Sequence, residues 1–305
     1  MTDLELHTFY EDLVRQLRAR GVVCGITSGL ACVHYGVAET TKDCDLLCHP
    51  ESFKTLVALL IEIRLQEHLC RYRGHISPPL DAAWHRGGWT SHFLWNTKPD
   101  VTTLDVFGYA LRQSSPWENE LDGLYAGMNI VAEMKRTDRE KDWPFITSLG
   151  TNLIRARDGR GWLHLFDADM LLELQSELSI TGEHLAIRPV LRLAVERDAR
   201  LRPALMAERL FWQELDRLRI RIYRAALRPY VLAMGRARIP EPADLLSEHL
   251  ARLQCAEQTL RKNPIREHGV ERLIEDARRA VAAFVRPELL QWLPDVRPHF
   301  TYLDV

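Results

Sequence analysis

Apolar residues recur at helical spacing through Leu6, Phe9, Leu13 and Leu17 and stop at Gly21, so residues 4–20 predict an amphipathic helix. Residues 22–27 are a short apolar run of the kind that forms a buried strand. Residues 30–35, behind Ser28-Gly29, predict a short helix ended by Gly36. Residues 43–48 read as the next strand, closed by His49-Pro50, and residues 51–68 as a second amphipathic helix. Two more strands are expected at 89–95 and 102–109. The polar, proline-containing break Asn96-Thr97-Lys98-Pro99-Asp100 between them has the composition of a hairpin loop. Residues 131–149 predict a further helix, with Pro144 limiting where it starts.

From about residue 160 the texture changes to helix after helix, near 162–178, 184–199, 203–234, 242–262, 264–285 and 287–293. Pro189, Pro203, Pro229, Pro240, Pro242 and Pro264 punctuate this half at first-turn positions or kinks. The pattern therefore divides the chain into an α+β unit over residues 1–155 and an all-α unit over 156–305. No repeat of fixed period and no low-complexity tract is present.

Composition excludes several classes. The 305 residues are 46% hydrophobic and carry 40 Lys and Arg against 42 Asp and Glu, a net charge of −2. That is enough apolar material for a sizeable core, and it is not the charge of a protein that coats nucleic acid. Basic residues are local instead: from residue 151 onward there are 24 Arg and one Lys against 22 acids, whereas residues 1–150 hold 15 basic and 20 acidic side chains. No apolar run is long enough for a membrane span, and the acidic N-terminus lacks the layout of a secretory signal. Six cysteines without a Cys-x-x-Cys pair predict reduced thiols in a cytoplasmic protein. Cys44, Cys48 and His49 lack a fourth ligand at a zinc spacing.

The chemistry concentrates in Thr27-Ser28-Gly29 and Thr41-Lys42-Asp43-Cys44-Asp45. On a strand, Asp43 and Asp45 share a face. Two adjacent carboxylates repel unless a cation lies between them, and an oxygen-only pair suits Mg²⁺ with substrate phosphate completing its shell. A third acid, Asp105, lies on the strand expected at 102–109. Three carboxylates on adjacent strands can hold two metals.

This order of apolar strand, small-residue turn, short helix, Asp-x-Asp and later strand with one Asp resembles the nucleotidyltransferase superfamily with a DNA-polymerase-β-like fold. The resemblance spans about residues 9–150. It implies a small mixed sheet with flanking helices, followed here by an all-α domain. Further implied are nucleotide (ATP-type NTP) binding over Thr27, Ser28 and Gly29, catalytic and metal-binding roles for Asp43, Asp45 and Asp105, and Mg²⁺ or Mn²⁺ as cofactor. The turn reads Ser-Gly where many members have Gly-Ser. Lys135-Arg136-Thr137-Asp138-Arg139-Glu140-Lys141-Asp142 resembles a downstream element of bacterial nucleotidyltransferase-like proteins, toxin–antitoxin members included; it makes Lys135 a phosphate contact, with Arg139 and Lys141 in reserve. The implied function is transfer of a nucleoside monophosphate from an NTP to a hydroxyl of RNA, protein or a small molecule, with release of pyrophosphate. The alternative is a catalytically silent, antitoxin-like module that binds a partner protein.

Other conspicuous residues have simpler readings. Lys42 alternates away from the acidic pair. His34 and Tyr35 fit core packing, and Trp84 and Trp89 fit a loop that anchors its aromatics in the core. Arg217, Arg219, Arg221, Arg224 and Arg228 fit a solvated helix face.

Overall fold

The computed structural model describes residues 3–41, 43–97, 101–110, 112–113, 116–237 and 244–304. Lys42, much of the expected hairpin loop (98–100) and the prolines at 240 and 242 lie outside them. The strands are β1 (Cys24–Thr27), β2 (Asp43–Cys48), β3 (Arg64–Leu65), β4 (His68–Leu69), β5 (Arg71–Tyr72), β6 (Thr90–Trp95), β7 (Thr102–Phe107), β8 (Leu121–Asp122) and β9 (Tyr125–Ala126). The α-helices of the first half are α1 (Asp3–Ala19), α2 (Ser28–His34), α3 (Phe53–Glu62), α4 (Ala82–His85), α5 (Met128–Met134) and α6 (Trp143–Arg155). Those of the second are α7 (Ala168–Leu174), α8 (Gly182–Ile187), α9 (Leu191–Val195), α10 (Leu201–Arg236), α11 (Leu245–Thr259), α12 (Pro264–His268) and α13 (Val270–Ala282).

Seven strands form one mixed sheet in the order β5-β6-β7-β2-β1-β9-β8. β2 runs antiparallel to β1 and parallel to β7, and β7 runs antiparallel to β6. The α+β character expected of the first half is present, with helices packed around a mixed sheet. Leu6, Tyr10, Leu13, Val14 and Leu17 bury one stripe of α1, as their spacing requires.

Five expected helices are shorter or broken. The one at 51–68 ends at Glu62, because Gln66 and Glu67 both take positive φ (49° and 65°) and close a two-residue hairpin between β3 and β4. The one at 131–149 splits into α5 and α6, with Pro144 in the first turn of α6. The segment at 184–199 breaks at Arg188-Pro189, where the residue before proline leaves helical geometry (ψ 86°). Gly269, at φ 95°, separates α12 from α13. At 162–178 the helix starts only at Ala168, where the Asp167 carboxylate accepts from the amides of Asp169 and Met170.

Buried residues from both halves form one continuous cluster, from Leu6 to Leu303. A second, smaller core packs Trp84 and Trp89 against Tyr230, Met234, Ala256 and Leu260 of the helical half. The indole N–H of Trp84 donates to the Leu260 carbonyl (3.1 Å) and that of Trp89 to the Arg261 carbonyl (2.9 Å). Gly87 permits this approach, since a Cβ there would overlap the Lys262 carbonyl oxygen at 1.9 Å. The hydroxyl of Tyr230 and the Arg252 guanidinium both donate to the Ser77 carbonyl at 2.8 Å. Among the described residues no helix is long and apolar enough to cross a membrane.

Candidate functional site

Strand register builds the site. Asp45 pairs with Asp105 across the parallel β2–β7 ladder, and Asp43 pairs with Thr103. In β2 and β7 the alternate residues Cys44, Leu46, Leu104 and Val106 are buried, while Asp43, Asp45, Thr103 and Asp105 stand on the other, partly open face. Neighbouring strands lie about 4.8 Å apart, so the three expected acids form one row on one face.

Asp43 is exposed, and its Oδ1 accepts from the Thr103 hydroxyl at 2.7 Å. Asp45 is half-buried. Burial first, and then the negative charge of Asp105, push its carboxyl up to about 6, while a hydrogen bond from the Ser28 hydroxyl and the charge of Lys135 pull the other way. Asp105 Oδ1 lies 2.8 Å from His92 Nδ1 and 3.7 Å from Arg73 Nη2, and Arg73 Nη2 lies 3.2 Å from His92 Nδ1.

The turn after β1 sits beside this row. Ser28 opens α2 with φ 56°, a left-handed conformation that costs a non-glycine residue about 1 kcal/mol or more. Gly29 follows because Thr41 leaves no room for a side chain: a Cβ there would lie 2.5 Å from Thr41 Oγ1. Ser28, Gly29, Asp43, Asp45 and Lys135 line one cavity of about 280 Å³, with Arg139 and Lys141 also on its wall. Lys135 is buried at the end of α5. Its Nζ lies 3.4 Å from Asp142 Oδ1 and 5.6 Å from the centre of the Phe145 ring. Asp142 organises the segment that splits the expected helix, accepting from Thr137 Oγ1 (2.6 Å) and Arg139 Nε (2.8 Å) as well.

The structure thus brings Ser28, Gly29, Asp43, Asp45 and Lys135 to one cavity and sets Asp105 beside them in the sheet. Thr27 is not part of the lining. α5 roofs it, so it is fully buried and donates its hydroxyl to Met134 Sδ at 3.2 Å. Asp105 does not line the cavity either, its carboxylate being turned to His92. Among the described residues no three His, Cys, Asp or Glu groups converge closely enough to hold a metal ion. The hard oxygens of Asp43 and Asp45, with a cavity in front of them, fit one Mg²⁺ completed by phosphate and water. The cysteines are free thiols, and Cys44 and Cys48 are buried.

His34 is exposed rather than packed in the core, its ring stacked on Tyr125 (4.0 Å, 8°), and half-buried Tyr35 donates its hydroxyl to the Ala126 carbonyl at 2.8 Å. The sequence reading missed His92 and Arg73. His92 had a usable signal, because pairing the two expected strands antiparallel sets it opposite Asp105. Arg73 had none, since it follows a two-residue strand. No family model, no curated protein and no solved structure matches the chain.

Proposed function

We propose that this chain is a nucleotidyltransferase of polymerase-β-like fold that moves a nucleoside monophosphate from an NTP to an acceptor hydroxyl. The observation that carries the reading is the register of Asp45 with Asp105 on parallel neighbouring strands, in one row with Asp43 and next to the cavity that Ser28, Gly29 and Lys135 line. The left-handed Ser28 supports it too, since that conformation suits the small-residue turn the resemblance requires.

Asp43 and Asp45 would hold Mg²⁺ or Mn²⁺, which when bound offsets their mutual repulsion and the charge of the triphosphate. The turn at Ser28-Gly29 brings backbone close to phosphate, where a larger side chain at position 29 would collide with Thr41. Lys135, held by Asp142, faces the same cavity and neutralises charge on the leaving pyrophosphate. Asp105, whose buried Oδ1 lies beside His92 and Arg73 without a hydrogen bond, takes the proton of the attacking hydroxyl. The acceptor oxygen bonds to the α-phosphorus as the bond to the β-phosphate oxygen breaks.

The test is label transfer. Purified protein is incubated with each α-labelled NTP, Mg²⁺ or Mn²⁺ and a mixture of total RNA and cell protein, beside an Asp43→Asn/Asp45→Asn control. A labelled product absent from the control supports the reading. No label and no NTP binding would replace it with the silent, partner-binding module.

A further inference from the structure

The open face of the sheet runs on from the acid row into a second cavity. Thr90 and His92 of β6 and Phe107 of β7 stand on the face that carries Asp105, because both strands bury their alternate residues on the other side. They floor a cavity of about 290 Å³, and α10 supplies its far wall through Ile220, Tyr223 and Arg224. His92 both touches Asp105 at 2.8 Å and lines this cavity. The acid row therefore separates two cavities, one beside Asp43 and Asp45 and the other reached through His92.

The walls of the second cavity are largely apolar and aromatic, with Trp89 packed edge-on against Tyr223 at 4.9 Å. Arg224 on its wall belongs to a cationic stripe. Arg217, Arg221, Arg224 and Arg228 recur at i, i+4, i+7 and i+11 on α10, so they form one stripe about 16 Å long. All four are exposed. Arg217 is engaged by Glu214, whereas among the described residues Arg221, Arg224 and Arg228 form no ion pair. Arg219, off this stripe, also lines the cavity, but it is paired with Asp216 (2.7 Å).

We infer that the acceptor is single-stranded nucleic acid, with its phosphates along Arg221, Arg224 and Arg228 and its terminal nucleotide in the second cavity. This rests on the transferase reading for the reaction, though not for the binding. Three guanidiniums in a row without an ion pair among the described residues, on a chain of net charge −2, are a local cationic track, and a nucleic-acid strand carries one charge per residue to match it. An acidic peptide would need its carboxylates spaced by chance to do the same. Apolar and aromatic walls accept the face of any base. The terminal hydroxyl then lies toward Asp105: its oxygen bonds to the α-phosphorus, its proton passes to Asp105, and pyrophosphate leaves.

The experiment is a fluorescence-anisotropy titration of short 5′-labelled oligo(U) with the full chain over a salt series, with oligo(dT) and a glutamate- and tyrosine-containing peptide as competitors. Changing Arg221, Arg224 and Arg228 together to Gln is expected to weaken oligo(U) binding about tenfold or more. It should also reduce the salt slope by about 2, at roughly 0.7 per phosphate contact on a single strand. Circular dichroism melting checks that the variant is folded. A 3′-terminal 4-thiouridine is expected to cross-link to β6, β7 or α10. Equal competition by oligo(dT) supports the inference and extends it to DNA. Unchanged affinity in the triple variant, stronger competition by the peptide, or a cross-link remote from these elements overturns it. Mg²⁺–ATP binding on the same sample keeps the two readings apart. Oligonucleotide binding without nucleotide binding sinks the transferase alone, and the reverse sinks the acceptor assignment alone.

Discussion

Two charged assemblies in this molecule are built on opposite terms. At the seam between the halves, Asp216 is buried and fully matched: Arg112 Nη1 lies at 2.8 Å, Arg219 Nη2 at 2.7 Å, and the Asp138 amide donates at 3.0 Å. Nearby, Arg188 Nε donates to Glu208 at 2.9 Å, and its Nη1 donates to the carbonyls of Trp162 and Leu165 at 2.7 and 2.8 Å. At the candidate site, by contrast, Asp43, Asp45 and Asp105 stand in one row with half-buried Arg73 at 3.7 Å from Asp105, and the buried Lys135 already serves Asp142. Burial alone would raise the Asp216 carboxyl, yet Arg219 and Arg112 hold it below the usual range; burial and Asp105 push Asp45 above it. A cluster complete within the chain has a structural role. One with surplus like charge beside a cavity is arranged for something the chain does not supply.

The largest effect that tests this comparison is acid. His85, His164 and His299 are buried neutral: burial, followed by neighbouring cationic groups, lowers His85 and His299 to about 3 and His164 well below its ordinary value. Below pH 6.5 the unfolded chain binds these protons and the folded chain does not. Stability is therefore full above pH 6.5 and falls as pH drops toward 3, by about 1.4 kcal/mol per pH unit for each histidine. Urea unfolding at pH 7 and pH 5 reads this directly, and equal midpoints would contradict it. Next in size, Asp216→Asn should cost about 3–5 kcal/mol, because two guanidiniums lose their buried counter-charge. A loss under about 1 kcal/mol in the same assay would show the seam to be no different from a surface pair.

Asp45→Asn should move stability the other way, by about +1 kcal/mol, while label transfer falls to background. A destabilised variant would mean that the acid row is structural. The smallest change is expected for Lys135→Met, about 1 kcal/mol or less in stability, since Asp142 keeps Thr137 and Arg139. Calorimetry with Mg²⁺–ATP should nonetheless show affinity reduced about tenfold or more, by loss of a buried cation facing phosphate. Unchanged affinity would remove Lys135 from the site.

How far the sequence was readable follows from range. β2 appeared at its full extent, and the Asp-x-Asp pair could be placed on one face, because strand alternation is local. The adjacency of Asp105 to Asp45 depended on sheet order, which no local pattern encodes. The break between α5 and α6 was hidden because Asp142 holds the segment from Lys135 to Arg139 through side-chain bonds that helical periodicity does not register. Thr27 looked available as a small hydroxyl, yet the side chain that covers it, Met134, is 107 residues away. His92 could have been found from the hairpin, and Arg73 could not.

The contacts that cover Trp84 and Trp89 also set an order of events during synthesis. Their indole partners lie 176 and 172 residues further along the chain, and the bond from His299 to the Arg112 carbonyl spans 187. At about 5–20 residues per second, roughly 10–40 s separate the emergence of the sheet from the arrival of the helices that close its second core. During that interval two tryptophans and the short edge strand β5 lack their cover, and such long loops close slowly. The second cavity, whose far wall is α10, is thus completed only after the strands that carry the acid row have been synthesised.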